Sequence, residues 1–181
     1  MLILSLIFAL AAFLIFFKIT RHDIVGDDGH YAFRAIGYFD YLGSEKQTTP
    51  VEWFGYRPWW SYLSFHDHPP LVFFVQHIFF KIFGISVFAS RLPFALAGLG
   101  SLLVIFFLSK KLENAAAALI STAALALNNY FIWTARVGYQ ESILLFFLLL
   151  GLLFFYKGFR EDKYFIWSGI FFGLSFLSKY T

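Results

Sequence analysis

The sequence has no cysteine and few charged residues. Among 181 residues, Asp, Glu, Lys and Arg together make up 14%, and there are five prolines and one methionine. Without cysteine, the chain can form neither a disulfide framework nor a thiolate metal site. In soluble domains about a quarter of the residues are charged, so this chain falls outside the soluble globular class.

Hydrophobic residues make up 60% of the chain, and aromatic residues make up 23%. The formal net charge is only +3, without a basic cluster of the kind that binds nucleic acid. Nucleic acid is therefore excluded as a partner, and the lipid bilayer is expected as one. The composition predicts an all-α, polytopic helical membrane protein.

Long apolar runs set the expected number of spans. A spanning helix needs about 17 to 25 apolar residues, and five runs approach that length. No small-residue cleavage site follows the first run, so we interpret it as a retained anchor. About five transmembrane helices are predicted, at 2–17, 92–108, 115–133, 142–156 and 164–177.

The segment 71–84 is too short to span comfortably. Its polar residues Gln76, His77 and Lys81 lie within about a turn of one another. This pattern predicts an interfacial helix with one polar face, and a short span is the alternative.

A long polar and aromatic loop at 18–69 separates the first run from the rest. Apolar residues at helical spacing within 29–42 predict an interfacial helix in this loop. The short basic connectors around Lys110 and Lys157 are expected in the cytoplasm. The loop 18–69, the connector 136–141 and Lys179 then lie outside, although Lys18 and Arg21 oppose this orientation. If 71–84 spans, the loop and the connector lie on different faces.

Adjacent aspartates, Asp27 and Asp28, follow the first run by about ten residues. Neighbouring carboxylates repel, which favours protonation of one of them and makes the pair a candidate general base near the membrane surface. The alternative is a helix N-terminus, where a carboxylate caps the helix and interacts with its dipole.

Other ionisable residues are expected at the same outer surface. Arg136, His68 and Lys179 offer positive charge for a phosphate, while Asp67 and Glu141 offer further carboxylates. Taken singly, Arg136 and Lys179 could be snorkelling anchors, and His66 with His68 could be a metal pair. Together, a base and a phosphate clamp favour group transfer from a lipid phosphate to an acceptor.

The order of these pieces resembles the N-terminal half of GT-C superfamily glycosyltransferases, in the protein O-mannosyltransferase and aminoarabinose-transferase branch. Asp27-Asp28-Gly29-His30-Tyr31 stands where that branch has Asp-Glu-x-x-Tyr, and the second Asp replaces its Glu. Arg136 with Glu141-Ser142 resembles its Arg-x4-Asp-Ser, with the longer Glu in place of Asp. The other matching stretches are His68-Pro69-Pro70-Leu71, Phe88-Ala89-Ser90-Arg91-Leu92-Pro93, and Gly173-Leu174-Ser175-Phe176-Leu177-Ser178-Lys179.

The resemblance implies a multi-pass transferase of the plasma membrane whose active site faces outside. Its donor would be a polyprenyl-phosphate sugar, and its acceptor a hydroxyl on a protein, lipid or glycan. The catalytic base would be Asp27 or Asp28, with Asp27 favoured because it matches the family's Asp. Donor-phosphate contacts would come from Asp67, His68, Arg136 and Lys179, with His66 and Glu141 as less secure members of the site.

A single inverting displacement is the implied mechanism. We expect no obligatory metal, although oligosaccharyltransferase relatives use a divalent ion. Because such enzymes are several hundred residues long, the chain 1–181 is expected to be the N-terminal part of a longer transmembrane domain. The competing functions are a non-catalytic lipid-binding or assembly protein and a transporter subunit.

Overall fold

A computed structural model of the protein describes residues 2–24, 26–37 and 68–179. These ranges contain helices and connecting turns but no strand, which confirms the all-α prediction for the described part of the chain. The helices are α1 (Leu2–Phe16), α2 (Asp27–Gly37), α3 (Leu71–Phe83), α4 (Val87–Leu112), α5 (Ala115–Ala126), α6 (Asn129–Val137), α7 (Glu141–Gly158) and α8 (Lys163–Phe176).

Helix length limits how many of these elements cross a bilayer. With 26 and 18 residues, α4 and α7 are long and apolar enough to do so, and α5 and α6 qualify only as one bent pair. The other apolar helices, such as α1 with 15 residues, rise about 1.5 Å per residue and fall short of the ~30 Å hydrocarbon core. Two or three spans are thus supported in the described residues, and the predicted five are not confirmed.

The predicted span at 115–133 is not one continuous helix, because the helix breaks in its middle. The axes of α5 and α6 meet at 60°. At the break, the Asn128 side chain accepts a hydrogen bond from the backbone N–H of Phe131 at 2.9 Å and caps α6. Asparagine favours such caps, so the adjacent Asn128 and Asn129 inside an apolar run were the available signal.

The short helices α2 and α3 pack on each other and on the start of α4. One buried cluster joins residues of all three helices: Tyr31, Ala32, Ala35, Phe73, Phe80 and Ala89. The side chain of Gln76 donates to the Ser90 carbonyl at 3.0 Å and to its hydroxyl at 2.8 Å. His77 Nδ1 lies 2.7 Å from the carbonyl oxygen of Ala35.

These contacts correct the expected polar face of 71–84. Gln76 is buried and His77 is half-buried, so only Lys81 of the three polar residues is exposed. Polar side chains bonded inside the protein do not need the water that an interfacial face would offer them. Gln76 and His77 of α3 are therefore explained by hydrogen bonds to α4 and α2, between which α3 packs.

Charged groups collect at two opposite ends of the helical bundle. At the end that we call the site end, α8 meets α3 where the Leu71 N–H donates to the Leu177 carbonyl at 3.2 Å. At the other end, which we call the basic end, the Tyr156 hydroxyl donates to the Lys111 carbonyl at 3.1 Å. The starts of α2, α4 and α7 and the ends of α1, α6 and α8 all lie at the site end.

Candidate active site

A buried ion pair stands at the centre of the site end. Asp28 is 2% exposed and Arg91 is 4% exposed. Arg91 Nη2 lies 3.2 Å from Asp28 Oδ2. Because a buried charge is costly without a partner, each of these two residues holds the other in place. The pair joins the first turn of α2 to the start of α4.

Arg91 also binds the connector between α1 and α2. Its Nη1 donates to the carbonyls of Ile19 at 2.6 Å and His22 at 3.0 Å, and its Nη2 donates to the Asp23 carbonyl at 3.2 Å. Sequence reasoning did not assign Arg91 to the site. The available signal was an arginine at the start of an apolar run, within the Arg-Leu-Pro of the family-like motif.

Asp27, the neighbour of Asp28, is exposed and begins α2. The helix therefore starts two residues before the predicted 29–42, and both aspartates lie in its first turn, where the helix dipole favours negative charge. This agrees with the dipole interaction of the helix N-terminus alternative, but both aspartates lie inside the helix and do not cap a helix that starts at Gly29. The two carboxylates thus differ in setting, since one faces outward and the other is paired and buried.

Tyr31 lies among the carboxylates of the site end. Burial raises the pKa of its hydroxyl, and the negative charges of Asp27, Glu141 and Asp28 raise it further. The pKa of Tyr139 is raised in the same way, first by burial and then by the same three acids, led by Asp27. Three acids from α2 and α7 therefore surround two tyrosines that stay protonated at neutral pH.

Aromatic rings line the same region. The Tyr31 ring centroid lies 5.4 Å from that of His68 and 6.4 Å from that of Tyr139. His30 lies 6.0 Å from His68, and Trp133 lies 4.6 Å from Tyr139. His68, which the sequence predicted for the site, is thereby placed beside the first turns of α2.

Glu141 and Lys179 form a second ion pair, between α7 and the residues that follow α8. Lys179 Nζ lies 2.6 Å from Glu141 Oε1, and both side chains are half-buried. The Tyr130 hydroxyl donates to the same oxygen at a longer 3.4 Å. The positive charge of Lys179 is therefore partly compensated, and a phosphate would have to compete with Glu141 for it.

Arg136, near the end of α6, lies beside the end of α1. Its Nη2 is 3.5 Å from the Lys18 carbonyl oxygen, at the long limit for a hydrogen bond. Both residues line a cavity of about 240 Å³ that also reaches the buried ion pair. The lining residues are Lys18, Ile19, His22, Asp23, Asp28, Arg91, Trp133, Arg136 and Val137.

Two predicted site residues, His66 and Asp67, lie outside the described residues. The metal alternative that rests on His66 with His68 is therefore not tested. Within residues 2–24, 26–37 and 68–179, no group of three or more acidic or histidine side chains is arranged to hold a metal ion. The structure brings together the other predicted residues: Asp27, Asp28, His68, Arg136, Glu141 and Lys179.

Comparison with known proteins gives a consistent result over most of the chain. A sequence model of the family described as dolichyl-phosphate-mannose-protein mannosyltransferase matches residues 67–181, which is more than half of the chain. The Bacillus subtilis (strain 168) protein named "Putative mannosyltransferase YkcB" is 35% identical over 97 residues, or 54% of this chain. A second protein of the same organism, named "Putative mannosyltransferase YycA", is 33% identical over 97 residues.

A third relative, an uncharacterized protein of Aquifex aeolicus (strain VF5), is 31% identical over 114 residues, or 62% of this chain. The matched regions cover only 14% of each Bacillus protein and 26% of the Aquifex protein. No solved structure matches the chain significantly.

Proposed function

The chain belongs to the dolichyl-phosphate-mannose-protein mannosyltransferase family, and on this basis we propose that it provides the base-bearing part of a membrane glycosyltransferase. The enzyme would move a sugar from a polyprenyl-phosphate donor to an acceptor hydroxyl. The observation that carries the proposal is the difference in exposure and pairing between the two adjacent carboxylates of α2. Asp27 is exposed, whereas Asp28 is buried and paired with Arg91.

In the proposed reaction, Asp27 is the general base. Its carboxylate removes the proton from the acceptor hydroxyl, and the acceptor oxygen forms a bond to the anomeric carbon. The bond between that carbon and the phosphate oxygen breaks, and its electron pair leaves with the lipid phosphate. One displacement on the face opposite the leaving group inverts the anomeric configuration.

Asp28 has a different task in this proposal. Its ion pair with Arg91 anchors the first turn of α2, so Asp27 is presented from a rigid support. Catalytic groups have to be held within a fraction of an ångström of their working geometry, and buried charge pairs provide such support. Asp28 is a positioning residue, and Asp27 is the catalytic one.

Positive groups at the site end would stabilise the departing phosphate. Arg136 and Lys179 are the cationic side chains predicted for this role, and His68 lies next to Tyr31. Negative charge develops on the phosphate as the sugar leaves, so fixed cations near it lower the barrier. We assign Asp67 to the same donor region on the family resemblance and keep His66 as a further member of the site.

The proposal places this site on the outer face of the plasma membrane. Lys110 and Lys111 lie at the basic end, remote from the site, and short basic connectors favour the cytoplasmic side. A protein, a lipid or another glycan could supply the acceptor hydroxyl.

The experiment compares Asp27→Asn with Asp28→Asn in the full-length protein, measuring sugar transfer from a radiolabelled polyprenyl-phosphate donor in membranes. Loss of a general base lowers a rate by about 10²- to 10⁴-fold, so Asp27→Asn should lose transfer while the protein amount in the membrane stays normal. Asp28→Asn should lower the folded amount as well. The matched control is Asp162→Asn, an exposed aspartate before α8 at the basic end.

Transfer that survives in Asp27→Asn at the wild-type rate would contradict the catalytic assignment. Release of polyprenyl phosphate separates the competing functions, because a transferase releases it whereas a transporter moves its cargo unchanged. Donor binding without any release would favour the non-catalytic lipid-binding alternative.

A further inference from the structure

We propose that the cavity between the ends of α1 and α6 binds the phosphate of the lipid-linked donor, and that Lys18 is a ligand of that phosphate. The inference rests on the proposed function and deepens it, since it places the phosphate in one of several cationic parts of the site end. Lys18 was not predicted as a site residue. Its charge was considered only because it opposes the predicted membrane orientation.

The charges that line this cavity suit an anion. Asp28 and Arg91 neutralise each other across 3.2 Å. Lys18 and Arg136 then remain against the single carboxylate of Asp23, so the cavity keeps an excess of positive charge. The Lys18 ammonium lies 5.0 Å from the Phe17 ring centroid, a contact that leaves its hydrogen-bond donors available.

Buried polar atoms beside the cavity lack partners within the described residues. They are Arg91 Nε, a donor, and Asp28 Oδ1, an acceptor, on side chains that are 4% and 2% exposed. Buried polar atoms normally have partners, so such atoms indicate a missing hydrogen-bonding group. A phosphate oxygen would accept from Arg91 Nε, and a sugar hydroxyl would donate to Asp28 Oδ1.

The backbone of Lys18 is held in an unfavourable conformation. Its φ is +57°, and it is the one residue other than glycine with a positive φ in the described part of the chain. Left-handed backbone is strained at a residue other than glycine, and such strain concentrates at functional sites. Asn would adopt this conformation more readily, so stability alone does not explain the lysine.

Size and position favour a phosphate that is carried on a lipid. At about 240 Å³ the cavity is smaller than the ~300–1,000 Å³ of typical small-molecule sites, which suits one polar headgroup. It lies at the end of α1, where Leu10 and Phe13 of the helix and Phe17 just after it are exposed and apolar. A phosphate bound there would sit at headgroup depth with its chain beside α1, and Trp133 would form one wall for the attached sugar.

This assignment separates the roles of the cations. Lys179 is engaged by Glu141 at 2.6 Å, whereas Arg136 makes only a 3.5 Å contact with a carbonyl. Arg136 and Lys18 thus have more charge available for the ground-state phosphate than Lys179 has.

The experiment measures equilibrium binding of radiolabelled polyprenyl phosphate to the full-length protein in phosphatidylcholine nanodiscs. Wild type is compared with Lys18→Asn, Arg136→Gln and the control Lys110→Gln, an exposed lysine at the basic end. Lys18→Asn removes the ammonium but keeps the backbone carbonyl and a residue that tolerates positive φ. Losing one charged hydrogen bond should weaken binding about tenfold in each cavity variant and leave Lys110→Gln unchanged.

Competition experiments identify the source of the phosphate, and a melting temperature shows whether the variant is folded. Inorganic phosphate and phosphatidylglycerol should compete poorly with polyprenyl phosphate, and Lys18→Arg should restore binding. The melting temperature of Lys18→Asn should equal or exceed that of wild type.

Wild-type binding by both cavity variants would overturn the proposal, as would equal competition by inorganic phosphate or phosphatidylglycerol. The outcome is separable from that of the proposed function, because Asp27→Asn should bind polyprenyl phosphate normally. If Asp27→Asn still transfers sugar while Lys18→Asn fails to bind, the catalytic assignment falls and the phosphate site stands.

Discussion

At the scale of single residues, Arg91 and Asp28 determine whether the site can form. Arg91 contacts four acceptors, three on the connector after α1 and one on α2. The aspartates were predictable because two adjacent carboxylates in an apolar chain stand out in the sequence. Arg91 was not, because its importance depends on partners more than sixty positions away along the chain.

Replacing Arg91 with Leu should destabilise the folded protein strongly. The change leaves the Asp28 carboxylate buried without its cation, and breaking a buried pair in this way costs about 3–5 kcal/mol. Thermal unfolding of the detergent-solubilised protein measures the loss. The double variant Arg91→Leu/Asp28→Leu should recover part of it, and an additive loss would contradict the coupling. Glu161→Gln, which breaks the exposed pair with Lys163, should change little.

Tyr31 should make the folded state sensitive to alkaline pH. Its pKa is raised above the ordinary 10.0, mainly by burial and then by Asp27. Above about pH 10 the unfolded chain releases this proton while the folded chain retains it, so stability falls as the pH rises. Between about pH 9 and pH 11, Tyr31→Phe should therefore lose less stability than wild type. Tyr156→Phe, at the basic end, serves as the control, and equal losses in all three proteins would refute the expectation.

At the scale of elements, the described helices follow the apolar runs of the sequence to within a few residues, except where a polar side chain intervenes. The α5–α6 break was not predicted because the sequence is apolar on both sides of it. The helix nevertheless breaks there, where the Asn128 side chain caps α6. The polar spacing of α3 was misread for a related reason. A sequence shows that Gln76 is polar but does not show that Ser90 will be its partner.

Replacing Asn128 with Ala should weaken the start of α6. The side chain satisfies the otherwise free N–H of Phe131, and loss of such a cap costs about 1 kcal/mol. Differential scanning calorimetry in detergent would report the change. The neighbouring Asn129→Ala is the matched control, because Asn129 is exposed and already inside the helix. An equal effect of the two changes would argue against a specific cap.

At the scale of the whole molecule, charged residues collect at both ends of the helical bundle. Residues near the end of α1 lie with the site, and Lys110 and Lys111 lie at the opposite end beside Tyr156. The number of spans could not be predicted as well, because α1 and α3 are apolar helices that are too short to pass as spans. Their packing on other helices, which the sequence does not show, decides how much lipid they meet.

Cysteine labelling should distinguish the two ends, since the chain has no cysteine of its own. Thr20→Cys is exposed at the site end, and Glu113→Cys is exposed in the turn after α4. A thiol reagent that does not cross membranes should label Thr20→Cys in intact cells and Glu113→Cys only after the cells are opened. The reverse pattern would place the site in the cytoplasm, and labelling of both from outside would contradict the opposite placement of the two ends.

The hydrogen bond from Leu71 to Leu177 joins positions more than a hundred residues apart. During synthesis α8 leaves the ribosome last among the described helices, and chains fold largely from the N-terminus onward. The Asp28–Arg91 pair can therefore form early, while the contact of Lys179 with Glu141 waits until α8 has been inserted. A nascent chain thus pairs Asp28 with Arg91 first, and Glu141 gains its Lys179 partner only once α8 has been made.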